Sequence, residues 1–157
     1  MGARRKAREC ALMILYQIDL SGTSPEKAIE RFWESYASGE PLDPAPPFQV
    51  EKSEEEPLEA IDDDAKRYAE SLVYGVTGSL EKIDDTIQKV SHNWRLDRMA
   101  CVDRNLLRLG AYELTELAAD VPKKVAINEA VEIAKRFGSA ESSAFINGIL
   151  DRILPKE

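Results

Sequence analysis

Apolar residues recur at helical spacing along most of this 157-residue chain. The first such stripe lies within residues 4–20 and consists of Ala7, Cys10, Ala11, Ile14, Leu15 and Ile18. Residues three and four positions apart share one face of an α-helix, so the stripe predicts an amphipathic helix. Arg5, Leu12 and Tyr16 fall together on a different face, which we expect to lie off the core and to be open to packing by something else.

A second helix is predicted from 24 to 36. Ser24 is a suitable N-cap residue, and Pro25 has the backbone geometry of a first helical position. Six proline or glycine residues then interrupt the pattern between 38 and 57. We interpret this stretch as a flexible, proline-rich insertion within a single domain that spans residues 1–157.

The helical pattern returns after the insertion and continues to the end of the chain. The predicted helices cover 58–78, 80–90, 94–120, 122–138 and 142–154. The third of these is expected to bend at its start, near Asp97 or Ala100. Gly138 stands at the C-terminal end of the helix predicted at 122–138, where a helix cap is expected. No alternating strand pattern competes, so the sequence predicts an all-α fold of six or seven helices.

Composition fits a globular domain, since 43% of the residues are hydrophobic. The chain has no apolar run of about 18 residues and no signal-peptide pattern, and we expect a cytoplasmic protein. Cys10 and Cys101 have no Cys or His at metal-binding spacing, so two buried thiols are favoured over a disulfide or a zinc site.

Charge is distributed unevenly along the chain, whose formal net charge is -8. Residues 51–64 hold eight acidic side chains and one lysine, so the remainder is nearly neutral. Four cations, Arg4, Arg5, Lys6 and Arg8, stand at the start of the first helix, where the helix dipole disfavours positive charge. This placement favours an anion site, and arginine-rich RNA binding fits it. The alternative is that these cations only increase solubility.

Motifs of catalysis are missing from the sequence: there is no glycine-rich phosphate loop, nucleophile elbow or His-Glu-x-x-His helix. His92 is the single histidine and has no orienting partner at a suggestive spacing. We therefore predict that the chain is not an enzyme and uses no cofactor or metal. Asp62, Asp63 and Asp64 are expected to provide the negative first turn of the helix that follows.

Polar residues inside apolar segments have structural explanations. Asn128 and Asn147 would tie helices together as buried amides, and Gly148 would let two helices approach closely. Arg104 and Arg108 are interpreted as members of a surface ion-pair ladder with nearby acidic residues.

Three ordered motifs carry a resemblance to a known family. They are ARRKARECAL at 3–12 continuing to LYQID at 15–19, VDRNLLRLGAYEL at 102–114 followed by DVPKKVAINEAVEIAKRFG at 120–138, and FINGILD at 145–151. In this order they resemble the NusB family of bacterial transcription antitermination factors. The stretch 38–60 does not resemble the usual family pattern, because it is longer, acidic and rich in proline.

The resemblance implies two small helical subdomains, no catalysis, and binding of boxA RNA together with the ribosomal protein NusE. Such a complex acts with RNA polymerase in the read-through and processing of ribosomal RNA transcripts. By motif, Arg4, Arg5, Lys6, Arg8, Glu141 and Phe145 would contact RNA. Tyr16 and Asp103 would face NusE. Spacing alone instead places Phe145 in the core with Ile149 and Ile153.

Other interpretations stay open at this point. The chain could be a helical adaptor that binds only proteins, or a detached RNA-binding accessory domain of an RNA-modifying system. A homodimer would also fit the sequence. We further hypothesise that the acidic residues 51–64 fold over the basic N-terminus and discourage non-specific RNA, the alternative being a solvated loop without a role.

Overall fold

The computed structural model describes residues 3–42 and 61–153, and within these ranges the regular structure is entirely helical. The described helices are α1 (Ala3–Ser21), α2 (Pro25–Ser38), α3 (Asp63–Gly78), α4 (Leu80–Val90), α5 (Cys101–Glu116), α6 (Lys123–Phe137) and α7 (Ser142–Arg152). The all-α prediction is confirmed. Chain contacts divide the molecule into two compact units, Met1–Tyr74 and Gly75–Glu157. None of the described helices is both long and apolar enough to cross a membrane.

In the first unit, α2 begins as predicted. The Ser24 hydroxyl accepts a hydrogen bond from the backbone N–H of Lys27 at 3.3 Å, and Pro25 is the first helical residue. Gly39 caps the C-terminal end of the helix, and its φ of 77° lies in the left-handed region that glycine adopts without strain. Its N–H donates to the carbonyl of Ser35 at 2.9 Å. The predicted insertion at 38–57 lies mostly outside the described residues.

Helix α1 is buried on every side through its middle, since each residue from 7 to 17 is buried. Leu12 is fully buried and Tyr16 is only 8% exposed. The prediction that their face lies off the core was therefore wrong. A stripe of apolar residues identifies one buried face of a helix, but it does not show that the other faces are exposed.

Helix α3 starts later than the pattern indicated, at Asp63. The Asp62 carboxylate accepts a hydrogen bond from the N–H of Ala65 at 2.8 Å and so caps the helix. Asp63 and Asp64 then supply the negative first turn, as predicted. The earlier residues assigned to this helix, 58–60, lie outside the described ranges.

The second unit is built around α5, which packs against α4, α6 and α7. The bend predicted near residue 97 or 100 is a short 3₁₀ turn at Leu96–Arg98, after which α5 begins at Cys101. Gly110 of α5 faces the buried side chain of Leu150 in α7: a Cβ at Gly110 would lie 2.6 Å from Leu150 Cδ1. The glycine that permits close helix approach is thus Gly110. A Cβ at Gly148 would meet no atom within 4 Å, so that assignment was wrong.

Two arginines of α5 are anchored inside the second unit. Arg108 pairs with Asp84 of α4 through two hydrogen bonds, Nε to Oδ1 at 2.8 Å and Nη2 to Oδ2 at 2.9 Å. The two side chains are 11% and 28% exposed. Arg104 donates to the carbonyls of Leu96 and Met99. The prediction of a surface ion-pair ladder was therefore wrong. These guanidinium groups instead connect α5 to α4 and to the 3₁₀ turn.

Candidate nucleic-acid interface

The basic cluster lies in the first two turns of α1, which has no acidic residue in its first turn. Arg4 is exposed, Arg5 and Lys6 are half-buried, and Arg8 is 6% exposed. The cations therefore stand at the helix end where the dipole already provides positive potential. Such a site attracts anions, and three of its four cations present surface to solvent.

Tyr68 of α3 holds two of these arginines in place. The guanidinium carbon of Arg4 lies 3.9 Å from the centroid of the Tyr68 ring, and that of Arg8 lies 5.7 Å away. Both distances allow a cation–π interaction. Because Tyr68 is far from the cluster in sequence, no local pattern signalled this contact.

Arg4 and Tyr68 also line an open cavity of about 680 Å³. Asp62, Asp64 and Arg67 line the same cavity. Arg67 forms a hydrogen-bonded ion pair with Asp64, and this hydrogen bond raises the pKa of the Arg67 guanidinium. The two carboxylates are the end of the acidic run at 51–64, and most of that run lies outside the described residues. Its proposed screening of the arginines stays a prediction.

In the second unit, the predicted RNA residues lie on and just before α7. Glu141 is exposed and precedes the first residue of the helix. Phe145 is half-buried, whereas Ile149 and Ile153 are 4% and 2% exposed. The ring of Phe145 therefore lies at the margin of the core. Spacing alone had placed it inside the core, and that placement was wrong. It retains surface that a ligand could reach.

Trp94 is the aromatic side chain that sequence reasoning missed. Its ring contacts Phe145 edge-to-face, with centroids 5.7 Å apart and an interplanar angle of 80°. It is 59% exposed, the largest exposure among the large hydrophobic residues of the described ranges. The sequence did contain a signal for this exposure. Trp94 stands among polar residues at 92–95 and belongs to no apolar stripe that would place it in the core.

The two residues predicted to face a protein partner belong to different units. Tyr16 lies in the buried middle of α1, and its 8% exposure leaves little of the ring accessible. Asp103 is half-buried in the first turn of α5. Their role at a partner surface stays a prediction.

Comparison with known proteins identifies the family of the chain. The NusB family model matches residues 5–155. The chain belongs to the NusB family. It is 44% identical to the transcription antitermination protein NusB of Myxococcus xanthus, with 98% of this chain and 95% of the relative covered.

Solved NusB structures share the fold. The T. maritima NusB structure matches with a TM-score of 0.72 and 34% identity, over 96% of this chain and 89% of that one. A structure of the antitermination factors NusB and NusE in complex with dsRNA matches with a TM-score of 0.73 and 28% identity, over 98% and 96%. The matched relative is named as a transcription antitermination protein, in agreement with the prediction that this chain is not an enzyme.

Other residues of the NusB-like signatures are placed differently from their predicted roles. Asn128, Asn147 and Gly148 are all exposed, so the two asparagines are not buried ties between helices.

His92 is exposed in the turn that follows α4. In the described part of the chain, no group of three or more His, Cys, Asp or Glu residues could hold a metal ion. The exposed side chains described above are suited to binding through cations, amides and aromatic rings.

Proposed function

We propose that this chain is a cytoplasmic transcription antitermination factor that binds boxA RNA together with NusE, and so promotes read-through and processing of ribosomal RNA transcripts. The observation that carries the proposal is the cationic start of α1, with Arg4 held against Tyr68. The relative solved with NusE and dsRNA supports RNA as the ligand. Arg4, Arg5 and Lys6 of the first unit, and Glu141 and Phe145 of the second, are the proposed RNA contacts. Arg8 belongs to the same cluster but is only 6% exposed, so we propose no direct phosphate contact for it.

The test is a fluorescence-anisotropy titration of a boxA RNA and a scrambled RNA of equal length, each with and without NusE, at two salt concentrations. We expect preference for boxA that strengthens when NusE is present. Substituting Arg4, Arg5 and Lys6 together by alanine should remove most of the affinity. The control is the double variant Lys27→Ala and Arg31→Ala, which removes two exposed cations from α2.

Equal, weak binding of both RNAs that NusE does not change would contradict the proposal. Salt-insensitive binding of NusE without RNA affinity would instead support the adaptor that binds only proteins. A homodimer is tested in the same samples by sedimentation, because dimerisation through the basic surface would compete with RNA.

The protein partner is tested separately through Asp103. If this carboxylate faces NusE, Asp103→Asn should weaken NusE binding while the RNA affinity of the isolated protein is retained. The matched control is Asp97→Asn, because Asp97 is an exposed carboxylate in the nearby 3₁₀ turn. Unchanged NusE affinity in Asp103→Asn would remove this residue from the interface.

A further inference from the structure

The Trp94 ring is available for a planar ligand. Because its plane is nearly perpendicular to that of Phe145, at 80°, their contact covers at most one face of the indole. The residue is 59% exposed, so most of its surface is open to solvent. An indole left in water gains by covering its open face with another apolar or π surface.

Hydrogen bonds with Gln88 and Ser91 fix the backbone beneath this ring. Gln88 of α4 donates from Nε2 to the carbonyl of Trp94 at 2.9 Å, and its Oε1 accepts from the N–H of Leu96 at 3.0 Å. The N–H of Trp94 donates to the carbonyl of Ser91 at 3.0 Å. The buried hydroxyl of Ser91 in turn donates to the Ile87 carbonyl at 2.8 Å. An exposed ring on a restrained backbone is pre-organised for binding.

The surroundings of the ring fit a nucleic acid better than a protein. Its neighbours His92, Asn93, Arg95 and Arg98 are all exposed and polar. Arg95 forms an exposed ion pair with Asp97 at 3.1 Å, and Arg98 is the second nearby cation. The buried core of a protein–protein interface is generally depleted of charged residues. Single-strand RNA sites combine an aromatic ring with nearby cations, because bases stack on the ring while phosphates meet the charge.

We infer that the Trp94 indole is a stacking platform for one unpaired base of the bound RNA, and that Gln88 is its positioning residue. The inference rests on the proposed RNA-binding function and adds a contact to it. Phe145 supports the indole from the side through the edge-to-face contact. The platform recognises the π-face of a base, so it contributes affinity at that position with little sequence preference.

The first test compares boxA RNA affinity in Trp94→Ala, Trp94→Phe and the control Val125→Ala, which removes exposed apolar surface from α6. Trp94→Ala should raise the Kd by about fivefold or more, and Trp94→Phe by less because a ring remains. The factor should be the same at each salt concentration, since no charge is lost. Val125→Ala should bind as the unsubstituted protein does.

The second test detects the contact directly. Trp33 and Trp94 are the two tryptophans, so in Trp33→Phe all indole emission comes from Trp94. RNA should quench this emission along the same curve as the anisotropy titration. Adding Gln88→Ala to this protein should increase the mobility of the indole, seen as lower emission anisotropy without RNA, and should weaken RNA binding.

Unchanged RNA affinity in folded Trp94→Ala, or no change in Trp94 emission on RNA binding, would overturn the inference and leave the proposed function intact. Loss of NusE affinity with unchanged RNA affinity would also overturn it and assign the ring to a protein interface. If the unsubstituted protein binds no RNA, the proposed function fails and this inference fails with it.

Discussion

The guanidinium carbon of Arg4 lies 3.9 Å from the centroid of the Tyr68 ring, which joins the first turn of α1 to the first half of α3. An exposed arginine at a helix start otherwise samples many rotamers, and ordering it on binding costs conformational entropy. The ring restricts this freedom in the free protein. For the proposed RNA binding, Tyr68 would therefore lower the cost of ordering Arg4 without carrying charge itself.

Replacing Tyr68 should weaken RNA binding through Arg4. We expect Tyr68→Leu to raise the Kd for boxA RNA by about twofold to fivefold, which corresponds to the roughly 0.5–1 kcal/mol of an exposed cation–π contact. Tyr68→Phe keeps the ring and should bind almost normally. Anisotropy titrations measure both variants. Equal affinity in Tyr68→Leu and Tyr68→Phe would show that the ring does not prepare Arg4.

The salt dependence of RNA binding should report the burial of Arg8. Four engaged cations predict a slope of log K against log salt of about -3, whereas the three accessible ones predict about -2. Arg8→Met should leave this slope unchanged, because Arg8 is only 6% exposed. Arg4→Met should make it shallower by about 0.7. A shift of that size in Arg8→Met would mean that Arg8 reaches a phosphate.

Local sequence signals predicted the helices well, because caps and breakers act on their neighbours. Ser24 and Gly138 stand at the helix ends for which they were proposed. Signals that depend on distant elements were not recoverable. Periodicity left Tyr16 off the core, and no spacing indicates that Arg108 pairs with Asp84 on another helix. Likewise, the basic cluster was visible in the sequence, but its Tyr68 support was not.

Two glycines of family-like motifs should respond oppositely to alanine. Gly110→Ala places a Cβ 2.6 Å from Cδ1 of the fully buried Leu150, so overpacking should lower the free energy of unfolding by about 1–3 kcal/mol. Gly148→Ala meets no atom within 4 Å, and alanine should raise that free energy by about 0.4–1 kcal/mol. Urea denaturation measures both. Stabilisation by Gly110→Ala would refute the close approach of α5 and α7.

The ion pair between α4 and α5 should matter more than a neighbouring surface pair. Asp84→Asn removes the charge that faces Arg108, whose side chain is 11% exposed, and should lower the free energy of unfolding by about 1–3 kcal/mol. Asp85→Asn is the control, because Asp85 pairs with Lys89 at 66% and 75% exposure. Its effect should be below about 0.5 kcal/mol. Equal losses in thermal or urea unfolding would contradict the anchoring role of Arg108.

Stability at alkaline pH should depend on Cys10. Burial disfavours the thiolate and raises the pKa of this thiol from 9.0 to about 12. In the unfolded chain the thiol loses its proton near 9, whereas in the folded chain it keeps the proton. Its contribution is therefore complete below pH 9 and is lost as the pH rises toward 12.

Cys10→Ala isolates this effect, since other titrating groups cancel in the comparison. The free energy of unfolding of the unsubstituted protein should fall relative to Cys10→Ala by up to about 1.4 kcal/mol per pH unit within that window. Thiol labelling at pH 8 gives a second reading: the half-buried Cys101 should react in the folded protein, and Cys10 only after unfolding. Parallel pH profiles for the two proteins, or rapid labelling of folded Cys10, would show that this thiol is not enclosed as the structure places it.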